Sequence, residues 1–166
     1  MRKRTIYEME KEVKDSIGYQ VRPARIDDIH SVVSLSQFWH KEGCTAGNVA
    51  LTENDASLQT WLDSGFFFVS EFEGVVIAYA AGVVKLGKNA VFKPEGERFL
   101  HVHQIFVHVD HREKGVGGQL VNALLSKSEL EGVKRSMVGS NNVDWFPTYR
   151  FYERLGYKMF SIDMYK

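Results

Sequence analysis

The chain has very little cysteine and no long apolar run. Cys44 is the single cysteine among its 166 residues. One thiol excludes an internal disulfide and a thiolate metal cluster, and it is typical of proteins from a reducing compartment. No stretch reaches the roughly 18 uninterrupted apolar residues of a membrane span, so no membrane partner is expected.

Net charge is also absent. Lys and Arg together number 21, and Asp and Glu together number 21. No overall field therefore draws the protein to nucleic acid or to an anionic membrane, and any charged ligand must be met by local groups. Arg2 and Arg4 are followed by alternating charges instead of the apolar run of a signal peptide. We expect a cytoplasmic protein that does not bind nucleic acid.

The composition that is present favours one compact domain. Apolar residues make up 44% of the chain and aromatic residues 13%, which is enough for a sizeable core. Residues 1–18 are rich in charges of both signs and end at Gly18, which predicts a short solvated extension. Residues 19–166 then form the domain.

The periodicity of apolar residues predicts an α/β fold. Runs rich in β-branched and aromatic residues predict strands over residues 19–22, 66–72, 75–80, 99–107, 135–138 and 157–165. Helical spacing predicts helices over residues 27–39, 53–62, 116–130 and 148–155, with Asp27 as the N-cap of the first. The Glu73-Gly74 pair joins two strands in a hairpin, which we expect at the centre of the sheet, and residues 86–98 are expected to form a loop.

A glycine-rich turn follows the strand that ends at Ile105-Phe106-Val107. The turn reads Arg112-x-x-Gly115-x-Gly117-Gly118 and lies where a strand hands over to a helix. Glycines let the backbone approach a phosphate closely, and the N–H groups of the first helical turn point at it. A Rossmann motif would need a glycine at Leu120, and the Gly-Lys-Ser/Thr of a Walker loop is missing. The segment therefore predicts an anion site of another kind, with an ordinary glycine-rich turn as the alternative.

Two motifs in this order resemble those of the GNAT superfamily of acetyltransferases. The glycine turn is similar to motif A of that family, and Phe151-Tyr152-Glu153-Arg154-Leu155-Gly156-Tyr157 is similar to its Phe-Tyr-Glu-x-Leu-Gly-Phe/Tyr helix end. The resemblance covers roughly residues 19–165. It implies a mixed, mostly antiparallel sheet flanked by helices, with splayed central strands and coenzyme A lying in the gap between the fourth and fifth strands.

The resemblance also implies which residues bind the cofactor. Backbone groups of Ile105 and Val107 would pair with the pantetheine arm, and N–H groups from Glu113 to Gly118 would hold the pyrophosphate. The full set is Ile105, Phe106, Val107, Arg112, Glu113, Lys114, Gly115, Val116, Gly117, Gly118 and Tyr152. The chain departs from the family in carrying Trp145 where many members have Asn. Its short C-terminus leaves the last strand truncated or supplied by a second copy, so a homodimer is one alternative.

Acylation of an amine needs a base, because an alkylammonium with a pKa of about 10.4 is almost entirely protonated at pH 7. His101 and His103 are two residues apart on a predicted strand, so their side chains share one face. An ordinary histidine pKa near 6.5 suits a base. The pair resembles the histidines that line the proton exit path of arylalkylamine N-acetyltransferase. Burial in the core is the structural alternative, and metal chelation is disfavoured because no third ligand has a suitable spacing.

Tyr152 stands where family members place a phenol near the cofactor sulfur, and it is predicted to protonate the departing thiolate. Its alternative is packing alone. Aromatic side chains could line an acceptor pocket, or belong to the core: Phe38, Trp39, Trp61, Trp145 and Phe146. The resulting hypothesis is direct acetyl transfer from acetyl-CoA to a primary amine, with a small molecule as the preferred acceptor. Protein N-termini, lysine side chains, amino acids and aminoglycosides are the acceptors that stay open. A non-catalytic coenzyme A-binding sensor or interaction module is the alternative function.

Overall fold

A computed structural model describes residues 18–88 and 94–161. In these ranges the strands are β1 (Tyr19–Pro23), β2 (Phe67–Phe72), β3 (Val75–Leu86), β4 (Arg98–Val107) and β5 (Arg135–Val138). The α-helices are α1 (Ile29–Lys41), α2 (Ala56–Ser64), α3 (Val116–Leu130) and α4 (Trp145–Arg154). Short 3-10 turns lie at Ile26–Asp28 and Val109–His111. The predicted extension over residues 1–18 lies outside the described residues except for Gly18.

The strands form one sheet in the order β1-β2-β3-β4-β5. The first four strands pair antiparallel, and β5 pairs parallel to β4. The predicted mixed, mostly antiparallel sheet is therefore confirmed. The β2–β3 hairpin forms as expected, and β3 is both the central strand and, at 12 residues, the longest in the described part of the chain.

The core has two layers, one on each face of the sheet. Helices α1 and α2 cover one face, where the buried apolar residues include Val32, Leu58, Trp61, Val69, Tyr79 and Phe106. Helix α3 covers the other face, where they include Ala80, Leu100, Val102, Val116, Leu120 and Leu124. Neighbouring residues Tyr79 and Ala80 belong to opposite layers because side chains alternate along a strand. The sheet is thus buried on both faces, and its functional groups must lie at an edge or an opening.

A β-bulge interrupts this alternation in β4. Ala81 pairs with Gln104, but the next residue of β3, Gly82, pairs with Val102, so His103 is the extra residue. His101, which pairs with Val83, and His103, whose ring meets that of Trp61, both lie on the α1–α2 face. The expectation that the two histidines share a face is confirmed.

The start of α1 differs from the sequence prediction, because Asp28 and not Asp27 has the structural role. The Asp28 carboxylate accepts hydrogen bonds from the backbone N–H of Arg25 and from both terminal nitrogens of Arg22, each at 2.7 Å. Arg22 also contacts Glu71 of β2. The guanidinium hydrogen bonds hold the pKa of Asp28 below its usual value despite its burial. This network ties the start of α1 to β1 and β2.

Other helix and strand boundaries also differ from those that the sequence predicts. Helix α4 begins at Trp145 and not at residue 148, since Pro147 lies in the first turn, where its missing N–H would have no helical acceptor. Helix α2 begins at Ala56, and β3 continues to Leu86 beyond the predicted residue 80. The strand predicted over residues 157–165 is wrong for 157–161, which form no strand, and the remainder lies outside the described residues.

The backbone of β4 lies so close to Gly82 of β3 that a larger residue does not fit there. This contact gives a test of the β3–β4 register. A Cβ at Gly82 would lie 2.7 Å from the His101 carbonyl oxygen and 3.2 Å from Leu100 Cδ1. We expect Gly82→Ala to lower the free energy of unfolding by roughly 1–3 kcal/mol, because backbone cannot move aside as a side chain can. Denaturant unfolding measures this loss.

The matched control for this test is Gly139→Ala. A Cβ there meets nothing within 4 Å, so this change should be neutral or slightly stabilising. Equal unfolding free energies for the two variants would contradict the β3–β4 register.

Candidate active site

A groove opens where β4 and β5 separate. The two strands pair from Phe99 with Arg135 to Val102 with Val138, and no further. The groove beyond this point has a volume of about 1650 Å³. It is lined by every residue that the sequence analysis predicted to be catalytic or cofactor-binding: His101, His103, Ile105, Phe106, Val107, Arg112, Glu113, Lys114, Gly115, Val116, Gly117, Gly118 and Tyr152. The structure therefore brings both sequence motifs and the histidine pair to one opening.

The glycine turn forms the wall of the groove at the start of α3. Its backbone has positive φ at Glu113 (62°) and at Gly115 (79°), which is the N-cap of α3. The N–H groups of Val116, Gly117 and Gly118 are in the first helical turn, where no intrahelical acceptor exists. A Cβ on Gly115 would meet nothing within 4 Å. The turn can therefore admit an anion against unpaired N–H groups at the positive end of a helix dipole.

Arg112 holds the turn in place with its side chain. Its Nε donates to the carbonyl oxygen of Val107 at 2.9 Å, and its Nη2 donates to both carboxylate oxygens of Glu42, at 2.9 and 2.7 Å. The guanidinium carbon also lies 5.4 Å from the centre of the Phe106 ring. Arg112 thus connects the turn to the end of β4 and to the residue that follows α1.

The two sequence motifs contact each other at Gly117. A Cβ on Gly117 would lie 3.3 Å from Cζ of Phe151 and 3.7 Å from Cγ2 of Val107. The absence of a side chain therefore lets α4 pack against the start of α3 and the end of β4. Gly117 has a packing role that the sequence alone does not separate from a ligand-binding role.

The two histidine rings are nearly perpendicular, with centres 4.6 Å apart. Nζ of Lys85 lies 2.9 Å from Nδ1 of His101. Since an ammonium only donates, Nδ1 accepts, and we assign the proton of neutral His101 to Nε2. Partial burial, together with the positive charge of Lys85, lowers the pKa of His103 below its usual value. His103 is therefore neutral at pH 7 and able to accept a proton.

Tyr152 lies on α4 with 8% of its surface exposed. Its ring packs between those of Phe151 and Tyr157, with centres at 4.9 and 5.4 Å. Desolvation raises the pKa of Tyr152 far above its usual value. The hydroxyl therefore stays protonated across the physiological pH range, which is the state that an acid requires.

Sequence reasoning missed Lys85 and a contact between two loops that line the groove. Thr45 forms an isolated antiparallel bridge with Asn142, and Ala46 N–H donates to the carbonyl of Asn141 at 2.7 Å. We call residues 44–46 and 141–143 the strap. It joins the loop after α1 to the loop after β5. No local signal predicts such a pairing, because its partners are almost a hundred residues apart.

The predicted aromatic pocket forms only in part. Trp39 and Trp61 line the groove, and Trp61 is also a core residue with 2% exposure. Trp145 and Phe146 are 53% and 54% exposed and do not line it. Phe38 instead packs on the ring of His108, with centres 4.6 Å apart.

In residues 18–88 and 94–161, no group of three or more His, Cys, Asp or Glu side chains is arranged to hold a metal ion. Within the same residues, no helix combines the length and apolarity needed to cross a membrane.

Comparison with protein families gives one match, to the model described as the acetyltransferase (GNAT) family, over residues 32–157. No curated protein sequence matches the chain.

Solved structures give matches at low sequence identity, which bear on the fold. A GCN5-related N-acetyltransferase from Ralstonia eutropha is 21% identical, with a TM-score of 0.67, covering 90% of this chain and 97% of that one. A predicted acetyltransferase from Clostridium acetobutylicum, solved with acetyl-CoA, is 14% identical, with a TM-score of 0.67 and coverage of 89% and 95%. Glucosamine-6-phosphate N-acetyltransferase from Arabidopsis thaliana is 18% identical, with a TM-score of 0.66 and coverage of 89% and 97%.

Proposed function

The chain belongs to the GNAT acetyltransferase family, and from this premise we propose that it transfers the acetyl group of acetyl-CoA directly to the primary amine of a small molecule. The observation that carries the proposal is the shared groove. A glycine turn suited to a pyrophosphate, a neutral histidine pair and a protonated tyrosine all line it. The similar structure from Clostridium acetobutylicum, which contains acetyl-CoA, supports the choice of cosubstrate.

The residues at the glycine turn fit coenzyme A. The N–H groups from Glu113 to Gly118 would hold the pyrophosphate, and Lys114 and Arg154 line the same groove with positive charge. Beyond Val102, the edge of β4 that faces away from β3 has no partner in β5. On that segment the backbone groups of Ile105 and the N–H of Val107 are available to the amides of the pantetheine arm, while the Val107 carbonyl accepts the hydrogen bond from Arg112. Bound there, acetyl-CoA supplies an activated acyl thioester.

The histidine pair provides a route for the proton of the acceptor amine. His103 is neutral at pH 7 and exposed to the groove, so it can accept this proton directly or through a water molecule. His101 lies beside it, and Lys85 orients the His101 ring through Nδ1. The neutral amine then attacks the acetyl carbonyl carbon directly, forming the amide bond while the carbon–sulfur bond of the thioester breaks, and no nucleophile of the enzyme is needed. Tyr152 donates its proton to the departing sulfur.

The strap supports a small acceptor. Its two loops line the groove and hydrogen-bond to each other, which restricts the space open to an extended polypeptide. The similar enzyme from Arabidopsis thaliana is named for a small amino sugar phosphate. Both observations favour a small-molecule amine over a protein terminus.

A thiol-release assay with acetyl-CoA and a panel of amines tests the proposed function. Release that depends on an added amine is the expected result. Tight acetyl-CoA binding without release for any amine would instead identify a coenzyme A-binding module without catalysis. Metal analysis of the active protein, with and without chelator, tests the histidine-metal alternative in the same preparation.

The proposed binding of the pyrophosphate by the glycine turn can be tested with two isosteric substitutions of Gly115. Gly115→Asn and Gly115→Asp have the same shape, both residues tolerate a positive φ, and the space around the position is open. Only Asp adds a negative charge at the helix N-terminus, where it would repel the pyrophosphate. We expect acetyl-CoA to bind the Asp variant at least 10-fold more weakly than the Asn variant in calorimetry.

Stability separates this effect from misfolding. A carboxylate at a helix N-terminus is stabilising, so the Asp variant should melt no lower than the Asn variant. If the two variants bound acetyl-CoA with equal affinity, the glycine turn would not be the binding site of the pyrophosphate.

Replacing His101 and His103 together with Gln should lower kcat/KM by roughly 10²-fold at neutral pH. For the wild type, kcat/KM should fall at a pH below the usual histidine pKa of about 6.5, because the pKa of His103 is lowered and a protonated histidine cannot accept the amine proton. The loss in the variant should shrink as the pH rises toward the amine pKa near 10, where more of the amine is already neutral.

The pH–rate profile of this double variant shows whether the two histidines act as a base or only pack against their neighbours. A loss that is the same at every pH would indicate packing or substrate binding. The exposed His30, which does not line the groove, supplies a His30→Gln control that should leave the profile unchanged.

Tyr152→Phe keeps the ring and removes only the hydroxyl. If the phenol protonates the sulfur, kcat should fall by roughly 10²-fold or more while acetyl-CoA affinity changes little. The loss should be smaller with an acetyl donor whose thiol is more acidic, because that sulfur leaves readily as an anion. Steady-state kinetics with the two donors measure the difference.

Tyr149→Phe is the matched control on the same helix, because Tyr149 is outside the groove and donates to Glu153 at 2.8 Å. It should leave kcat unchanged. Equal losses with both donors in Tyr152→Phe would mean that the hydroxyl positions the thioester and is not the acid.

A further inference from the structure

The histidine end of the groove carries a positive charge that the transfer reaction does not require. Lys85 lies near the end of β3 and lines the groove beside His101. The hydrogen bond from Lys85 Nζ to Nδ1 of His101, at 2.9 Å, uses one of the three N–H groups of the ammonium. Two N–H groups therefore remain for other acceptors, including a ligand in the groove.

Negative charge is scarce on the same surface. Among the lining residues within the described ranges, Glu113 is the only carboxylate, and it belongs to the glycine turn at the cofactor end. The polar groups around the histidines include the neutral side chains of Asn48, Ser57 and Gln104. A polycationic acceptor would place its additional ammonium groups near Lys85 without a carboxylate partner, which is unfavourable.

We propose that the acceptor is a compact amine that also carries an anionic group, a carboxylate or a phosphate, and that Lys85 binds this group. The inference rests on the proposed function, since it names the acceptor class of that groove. Nζ of Lys85 lies 2.9 Å from Nδ1 of His101, and the ring centres of His101 and His103 are 4.6 Å apart. An anion on Lys85 would therefore bring the amine of a molecule as small as an amino acid or an amino sugar phosphate close to the histidine pair.

Selection by Lys85 follows from electrostatic complementarity. A charge-assisted hydrogen bond to a carboxylate or a phosphate is stronger than one between neutral groups. The anion also compensates the lysine charge, because Glu113 at the glycine turn is the only carboxylate among the described residues that line the groove. Acceptors with several ammonium groups are selected against by the same charge.

Paired acceptors that differ by one anionic group test the inference. With the full-length protein and acetyl-CoA, thiol release is compared for ethanolamine and O-phosphoethanolamine, glucosamine and glucosamine 6-phosphate, and tyramine and tyrosine. We expect kcat/KM to be at least 10-fold higher for the anionic member of one or more pairs. The phosphate pairs and the carboxylate pair distinguish the two kinds of anion. Uncharged members that react as well as their anionic twins would overturn the inference and leave the proposed function intact.

Substitutions at Lys85 connect the preference to this residue. Lys85→Glu should remove or reverse the preference for the anionic member, and Lys85→Arg should retain most of it, because the charge is kept. Lys134→Glu makes the same charge change at an exposed position outside the groove, and it should not alter the preference. Equal loss of activity toward both members in Lys85→Glu would overturn the assignment of Lys85.

Binding measurements keep the inference testable without turnover. The same acceptor pairs are titrated by calorimetry into the protein saturated with coenzyme A. Tighter binding of the anionic member, lost in Lys85→Glu, supports the inference even if no amine releases thiol, in which case only the proposed catalysis fails. Binding that does not discriminate within any pair overturns it.

Discussion

The early end of pairing between β4 and β5 is the constraint on which the site depends. The parallel ladder stops at Val102 and Val138, while β4 continues to Val107. Buried backbone groups need hydrogen-bond partners, so the free edge of β4 must face water or a ligand that has amide groups of its own. The same divergence leaves the start of α3 at one end of the opening, and residues of the strap also line it. A groove with an extended polar wall and a helix N-terminus at one end follows from where two strands stop pairing.

The β-bulge at His103 determines which side chains of β4 face the α1–α2 layer. In a regular strand, alternate residues would continue to face the same way, and Gln104 would lie on the face opposite His103. With the bulge, both face the α1–α2 layer, where Gln104 accepts a hydrogen bond from the buried Tyr79 hydroxyl at 2.8 Å. Gly82 lets the backbone of β4 come close to β3 at this point. The local irregularity thus allows one strand to contribute to the core, to the histidine pair and to the open edge.

Much of this arrangement could be predicted from local sequence, and the remainder could not, for physical reasons. Glycines at 115, 117 and 118 and the Phe151–Tyr157 motif encode local conformation and packing, which a pattern reveals directly. The Lys85–His101 bond and the Arg112–Glu42 ion pair depend on strand register and on helix placement, which no short segment specifies. The cap at Asp28 was misassigned to Asp27 because either residue satisfies the local pattern, and only the position of Arg22 decides between them.

Positive charge is concentrated at the groove although the chain has no net charge, since the described lining residues include Lys85, Arg112, Lys114 and Arg154 but only one carboxylate, Glu113. Arg112, the residue expected to face the cofactor phosphates, uses its guanidinium to bind Glu42 and the carbonyl of Val107. In the function proposed above, phosphate binding in the turn would therefore depend mainly on backbone N–H groups, whose position is fixed by the fold and whose dipoles do not titrate. At the other end Lys85 is shared between a neutral histidine and the groove. For the acceptor class proposed above, removing the Lys85 charge would weaken the attraction for the anionic group. Desolvation is the main cause of the lowered pKa of His103 and the charge of Lys85 adds to it, so the same change would also raise this pKa and couple acceptor recognition to base strength.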